Sequence, residues 1–248
     1  MNLIKTEKEI RIMAEGGKIL AQVLKKVSQA CKPGVSTWEL DCLAESLIKE
    51  AGGEPSFKGF SDYPKSLCTS INNVLVHGIP KEREIINNGD IVGLDLGLKY
   101  KGLYTDMAIT LGVGKVSKVG SKLVKVCHKS LDVALAMIKP GNKVGDIGAA
   151  VQKYVEGAGF SVVRDLVGHG VGHGVHELPR IPNFGEMGTG EEIKEGMCLA
   201  IEPMICEKGY QIKTHKDGWG VETFDNGLAA HFEVTVAVTD KGYEILTK

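Results

Sequence analysis

Three short signatures recur in this chain at one constant spacing. Lys32-Pro33-Gly34 returns as Lys139-Pro140-Gly141, Ala51-Gly52 as Ala158-Gly159, and Gly89…Asp95 as Gly196…Glu202, each 107 positions later. Chance supplies one such match; three at a single offset argue for internal duplication. The expected architecture is α/β (α+β), with two similar helix–helix–strand halves, about 1–112 and 113–248, sharing one core. At 248 residues the chain is long enough for that to be a single domain over 1–248.

Local signals fill in the halves. Thr6-x-x-Glu9 and Ser36-x-x-Glu39 are capping boxes, each followed by apolar residues at three- to four-residue spacing. The first helix should stop at Lys32-Pro33-Gly34 and the second before Gly52-Gly53. Residues 54–90 read as loops and short strands, and a strand pair covers about 90–112. Two more helices, about 118–138 and 144–157, open the second half.

Composition excludes several classes of function. A net charge of -1 gives no reason to expect nucleic acid or an anionic membrane as partner. No apolar run approaches the ~20 residues of a membrane span, and the stretch from Met1 to Glu9 is charged, unlike a signal peptide. Six scattered cysteines without a CxxC pair suit reduced thiols in a cytoplasm.

Two features carry chemistry. Between Asp165 and Asn183, Gly168, Gly170, Gly172 and Gly174 alternate with Val171, His169 and His173, and His176 follows. Glycine at every second position sacrifices strand packing, which is tolerated where a backbone must approach something closely. Three histidines among these glycines point to a site, whose remaining groups must come from elsewhere. The strand pair supplies candidates. A turn at Tyr100-Lys101 sets Asp95 opposite Asp106, where like charges repel and call for a cation or a shared proton. A turn one residue away would leave the two aspartates merely flanking it. Gly93 and Gly97 share the face of Asp95 and leave room beside it, while Val92, Leu94, Leu96 and Leu98 point into a core. In the second half, Met197–Pro203 is an apolar strand ending in Glu202, and Glu233 lies on the small, polar face of an alternating strand. Asp95, Asp106, Glu202, Glu233 and one histidine make an oxygen-rich set with a single nitrogen, suited to paired Mn, Fe, Co or Zn ions.

In combination, the motifs resemble type I methionine aminopeptidases of the pita-bread fold, over essentially the whole chain. They are Ser70–Pro80 with His77, the Asp95-x10-Asp106 pair, Gly168-His169-Gly170-Val171-Gly172, His176-Glu177-Leu178-Pro179, Ile201-Glu202-Pro203-Met204 and Phe232-Glu233. The resemblance implies a pseudo-twofold fold around a curved antiparallel sheet, and two divalent ions (Co, Mn, Fe or Zn). Asp106 and Glu233 would bridge them, Asp95 would hold one, and His169 and Glu202 the other. His77 would face the scissile amide nitrogen and His176 the carbonyl, with Glu202 moving the proton of the attacking water. Phe60, Tyr63, Cys68 and Trp219, with Met204, would form the methionine pocket. The implied substrates are the N-termini of newly made polypeptides near the ribosome, cleaved when the second residue is small, by a cytoplasmic monomer that uses neither nucleic acid nor membrane.

Three residues depart from the family pattern. Val175 stands for a usual aromatic, Val234 for a histidine and His231 for a glutamine. If the aromatic walls the pocket, Val175 should widen it and relax selection for methionine. Two competing readings share the fold: an Xaa-Pro aminopeptidase or dipeptidase, and a binding protein that has lost its ligands. The presence of all five ligand positions argues against the second.

Overall fold

Both capping boxes form. Glu9 N donates to Thr6 Oγ1 at 3.3 Å while Thr6 N donates to the Glu9 carboxylate at 2.7 Å, opening α1 (Glu7–Ala30). Ser36 and Glu39 repeat the exchange at 3.2 and 2.8 Å to open α2 (Thr37–Glu50). The computed structural model describes residues 3–248; Met1 and Asn2, the start of the charged N-terminal stretch, lie outside it. In the second half, α3 spans Lys118–Leu135 and α4 Val144–Gly157. The expected end of α3 near 138 is three residues late. Met137 N and Ile138 N bond back three residues, to Ala134 and Leu135, so the last turn tightens before Pro140, whose ring disfavours helical backbone ahead of it.

The duplicated glycines share one conformation. Gly34 and Gly141 have φ of 93° and 88°, Gly52 and Gly159 76° and 87°, and Gly89 and Gly196 104° and 81°. All six lie in the left-handed region, which side chains with a Cβ avoid. The repeat is thus carried where the backbone leaves only one residue type.

Nine antiparallel strands form the main sheet, and the two halves meet inside it. The hairpin Ile91–Tyr100 and Leu103–Gly112 belongs to the first half, with Leu67–Ile71 and Glu54–Pro55 pairing its outer strand. Leu103–Gly112 then pairs with Glu233–Thr239 of the second half, through Glu233↔Ala108 and Val234↔Met107. Beyond it lie Cys198–Ile201, Val167–Gly170 and Glu177–Pro182, with Gly242–Ile245 also on Glu233–Thr239. Two three-stranded sheets flank this one; one of them includes Met204–Cys206 and Ala229–His231, the other Val74–Val76 and Val221–Thr223.

Each helix pair closes one half of the core. Val92, Leu94, Leu96 and Leu98 are buried against Leu20 and Leu24 of α1 and Leu40, Ala44 and Ile48 of α2. Leu199, Ile201, Val236 and Val238 pack with Leu123, Cys127 and Leu131 of α3 and Ile147 and Val151 of α4. Each such side chain contributes ~1.5–3 kcal/mol by leaving water. Strand alternation turns the intervening residues Asp95, Ala200 and Glu233 to the other side of the sheet.

Candidate metal centre

The hairpin register differs from the one read from sequence. The turn falls at Lys101-Gly102, so Asp95 pairs with Ala108 and Asp106 with Gly97. Lys101 and Gly102 both have positive φ, 49° and 84°, as a tight hairpin turn requires. The two aspartates are therefore diagonal rather than opposed. The shift is by two residues, which leaves every side chain on its expected face. Of the two glycines expected to leave room beside Asp95, Gly97 has its space filled. A Cβ on Gly97 would lie 2.0 Å from Ser56 Oγ and 2.6 Å from the Phe57 ring, so this glycine admits Phe57 to the cavity wall.

The glycine-histidine run enters the sheet at Val167–Gly170. A Cβ on Gly168 would meet Ala200 O at 2.6 Å, and one on Gly170 would meet Leu178 O at 2.1 Å, so both glycines serve close strand approach. A register break follows His169, whose partner is Arg180 while Gly170 faces Glu177. Bulges of this kind re-aim side chains beside sites. His169 Nε2 ends 3.4 Å from Glu202 Oε1. His173 takes no part; it lies at the surface with Nε2 2.7 Å from Glu9. Glu177, in the cavity wall, forms a buried ion pair with Lys5.

Donor atoms of Asp106, His169 and Glu233 all lie within 4.8 Å of one another, and so do those of Glu202, His231 and Glu233. Asp95 joins neither triad among the described residues, but it lies beside Asp106, whose charge raises its pKa. These groups line one cavity of about 640 Å³. Burial, then mutual repulsion, holds Asp95, Glu202 and Glu233 well above the usual carboxylate range, and burial pushes Asp106 up to about 7. Burial lowers His169 to about 3 and His77 to about 4, so both imidazoles are neutral at pH 7 and able to ligate or donate. Asp95 Oδ1, Glu233 Oε1 and His231 Nε2 are buried with no hydrogen-bond partner. Each bare buried polar atom costs ~1–3 kcal/mol. A divalent cation fits this donor set, because it neutralises the carboxylates and occupies the atoms left bare.

The sequence pattern of a known family, Metallopeptidase family M24, matches residues 11–240. The chain belongs to metallopeptidase family M24. It is 45% identical over 248 residues to methionine aminopeptidase 1 of Bacillus subtilis, covering 100% of both chains. With the methionine aminopeptidase of Clostridium acetobutylicum it shares 44% over 247 residues, covering 100% of this chain and 99% of the relative. The crystal structure of methionine aminopeptidase from Thermotoga maritima superposes with a TM-score of 0.97 at 43% identity, covering 99% and 98%. Prolidase from Pyrococcus furiosus superposes at 0.81 with 25% identity, covering 99% of this chain and 65% of the prolidase. The fold is the pita-bread fold of both groups. As a member of family M24, the protein uses divalent metal.

In this M24 chain the expected pocket residues Phe60, Tyr63, Cys68, Met204 and Trp219 all line the cavity, with His77 and His176. Tyr63 and Trp219 meet edge to face at 5.1 Å, and the Tyr63 hydroxyl lies 3.0 and 3.1 Å from the Leu67 and Gly78 carbonyls. Burial raises the Cys68 thiol, which stays protonated as a soft, apolar wall. His77 has φ of 58°, a conformation that costs a non-glycine residue ~1–3 kcal/mol and marks functional sites. His176 packs edge-on between Phe60 at 5.2 Å and His169 at 4.4 Å. Sequence reasoning did not place Phe57, Val76, Leu166, Val167, Leu178 or Arg180 in this wall. All but Phe57 lie within stretches singled out for their neighbours, and only the folded chain shows that these side chains face the cavity.

Val175 does not reach the cavity wall. It is 6% exposed, is absent from the cavity lining, and its neighbours His176 and Leu178 form the wall there. Val175→Phe should therefore leave the ratio of catalytic efficiencies for Met-Ala-Ser over Leu-Ala-Ser unchanged. Overpacking the interior should lower stability by ~1–3 kcal/mol in a urea titration.

Proposed function

We propose that this chain is a divalent-metal aminopeptidase that removes N-terminal methionine from newly made polypeptides, preferentially before a small second residue. The observation that carries the reading is full-length identity of 45% to the Bacillus subtilis methionine aminopeptidase. The set Asp95, Asp106, His169, Glu202 and Glu233 at one cavity supports it. In this reading the whole of 1–248 is one catalytic domain, its halves meeting near 113. The protein works as a cytoplasmic monomer close to the ribosome. No helix among the described residues is long and apolar enough to cross a membrane.

Two ions, of Co, Mn, Fe or Zn, would be held by Asp95, by His169 with Glu202, and by Asp106 and Glu233 between them. When bound, such ions polarise a carbonyl and lower the pKa of water. The protein's own groups do the rest. The Tyr63, Cys68, Trp219 and Phe60 side chains take up the methionine side chain. Glu202, in the cavity wall 3.4 Å from His169, receives the proton of the attacking water on a carboxylate oxygen and passes it to the leaving amine. His176, neutral at pH 7 because burial lowers its pKa, donates a hydrogen bond to the oxyanion. His77 holds the scissile amide nitrogen.

The deciding experiment is cleavage of Met-Ala-Ser against Ala-Pro-Ala. Preference for the first is expected; preference for the second would make the protein a proline-directed peptidase, and inertness towards both a binding protein. Roles within the cavity separate as well. His77→Ala and His176→Ala should each lower kcat by roughly 10²–10⁴ while metal stoichiometry stays intact. A metal ion lost from His176→Ala in calorimetry would reassign it as a ligand.

A further inference from the structure

We propose that His231 is a metal ligand, its Nε2 completing a donor set with Glu202 and Glu233. This rests on the divalent-metal reading above and adds a second imidazole to the donor set.

His231 ends the short strand Ala229–His231 and is 3% exposed. Its Nε2 has no hydrogen-bond partner, yet lies 3.5 Å from Glu202 Oε2 and 3.8 Å from Glu233 Oε2. Those separations are too long for good hydrogen bonds and suit donors around one ion. Two atoms each ~2.1 Å from a tetrahedral ion stand ~3.4 Å apart. The pair His169 Nε2 and Glu202 Oε1 shows the same spacing, 3.4 Å. The two imidazoles thus flank the two oxygens of Glu202.

A matched pair of threonine clamps holds His231 and Asp106 beside the cavity. Where the halves meet, Thr235 Oγ1 donates to Asp106 O at 2.8 Å and accepts from Asp106 N at 2.9 Å. On the other side of the Glu233↔Ala108 pair, Thr110 Oγ1 donates to His231 O at 2.7 Å and accepts from His231 N at 3.0 Å. Each threonine clamps the backbone of one residue across the junction, and the clamped residues are Asp106 and His231. Both clamped side chains face the cavity. The same device thus fixes the backbones of His231 and Asp106 where the halves meet. A second imidazole would shift preference from Mn towards Co and Zn.

The test is Co(II) binding to metal-stripped protein, with X-ray absorption counting imidazoles and calorimetry measuring affinity, for the wild type and His231→Gln. Glutamine keeps size and polarity without the ring nitrogen. Two Co(II)-bound imidazoles per protein molecule in the wild type and one in the variant are expected, with one ion bound about 100-fold more weakly. One imidazole in the wild type, or unchanged affinity and Co(II) absorption in the variant, would overturn the assignment and leave His231 a residue that orients Glu202. Should the variant misfold by circular dichroism, the wild-type count decides alone. Failure of the wild type to bind Co(II) at all would overturn the metal reading itself.

Discussion

Stripping divalent metal with a chelator is expected to reduce peptidase activity by several orders of magnitude, and adding Co, Mn or Fe to restore it. The expectation follows from what the cavity lacks as much as from what it holds. The one cysteine in its wall, Cys68, is buried with its pKa raised, and desolvation lowers the pKa values of His77 and His176 in the same wall. Buried Asp95, Glu202 and Glu233, held well above the usual carboxylate range, cannot all carry charge in the metal-free protein. Metal binding must then release protons, because a ligating carboxylate is deprotonated. Calorimetry in two buffers of different ionisation enthalpy should detect that release at pH 7. Full activity after chelation would end the metallopeptidase account.

Asp106→Asn should abolish activity by several orders of magnitude while the metal-free protein stays folded. Asp106 Oδ1 accepts from Met107 N at 3.0 Å, and an asparagine oxygen can keep that bond. What asparagine removes is the negative charge with which Asp106, beside His169 and Glu233, would hold divalent metal. The sign of the stability change follows from burial, which raises the carboxyl from an ordinary 3.8 to about 7. A carboxyl whose pKa is higher folded than unfolded stabilises the fold fully below about 4. That contribution is lost as pH rises through about 7. The metal-free wild type should therefore lose Tm between pH 6 and pH 8 more steeply than the variant. At pH 8 the variant's Tm should equal or exceed that of the wild type, and a large fall would make Asp106 a structural residue.

Neighbour-scale signals were legible in the sequence. Both capping boxes open helices where Thr6 and Ser36 predict them, and the 107-residue repeat marks glycines whose φ only glycine adopts readily. The alternation of Val92, Leu94, Leu96 and Leu98 assigned the faces of the Asp95 strand, and a turn one residue later, which shifts the register by two, left those faces intact. The motifs pointed to Asp95, Asp106, Glu202, Glu233, His77, His169 and His176, which all line the cavity, whereas His173 of the same glycine run lies at the surface.

Position across the fold was not legible. Val175 sits beside His176 in the chain, yet one lies in the interior and the other in the cavity wall. Phe57 reaches the wall only because Gly97, forty residues on, leaves it room. The partnership of Thr110 with His231 and of Thr235 with Asp106 joins residues 121 and 129 apart, and no periodic pattern spans that distance. By itself the sequence determined the helices, the strand faces, the duplication and the chemical types at the site. The tertiary structure decided which donors share a space, because hydrogen-bonded contact between the halves, and not sequence spacing, sets how close Asp106 comes to His169 and Glu233.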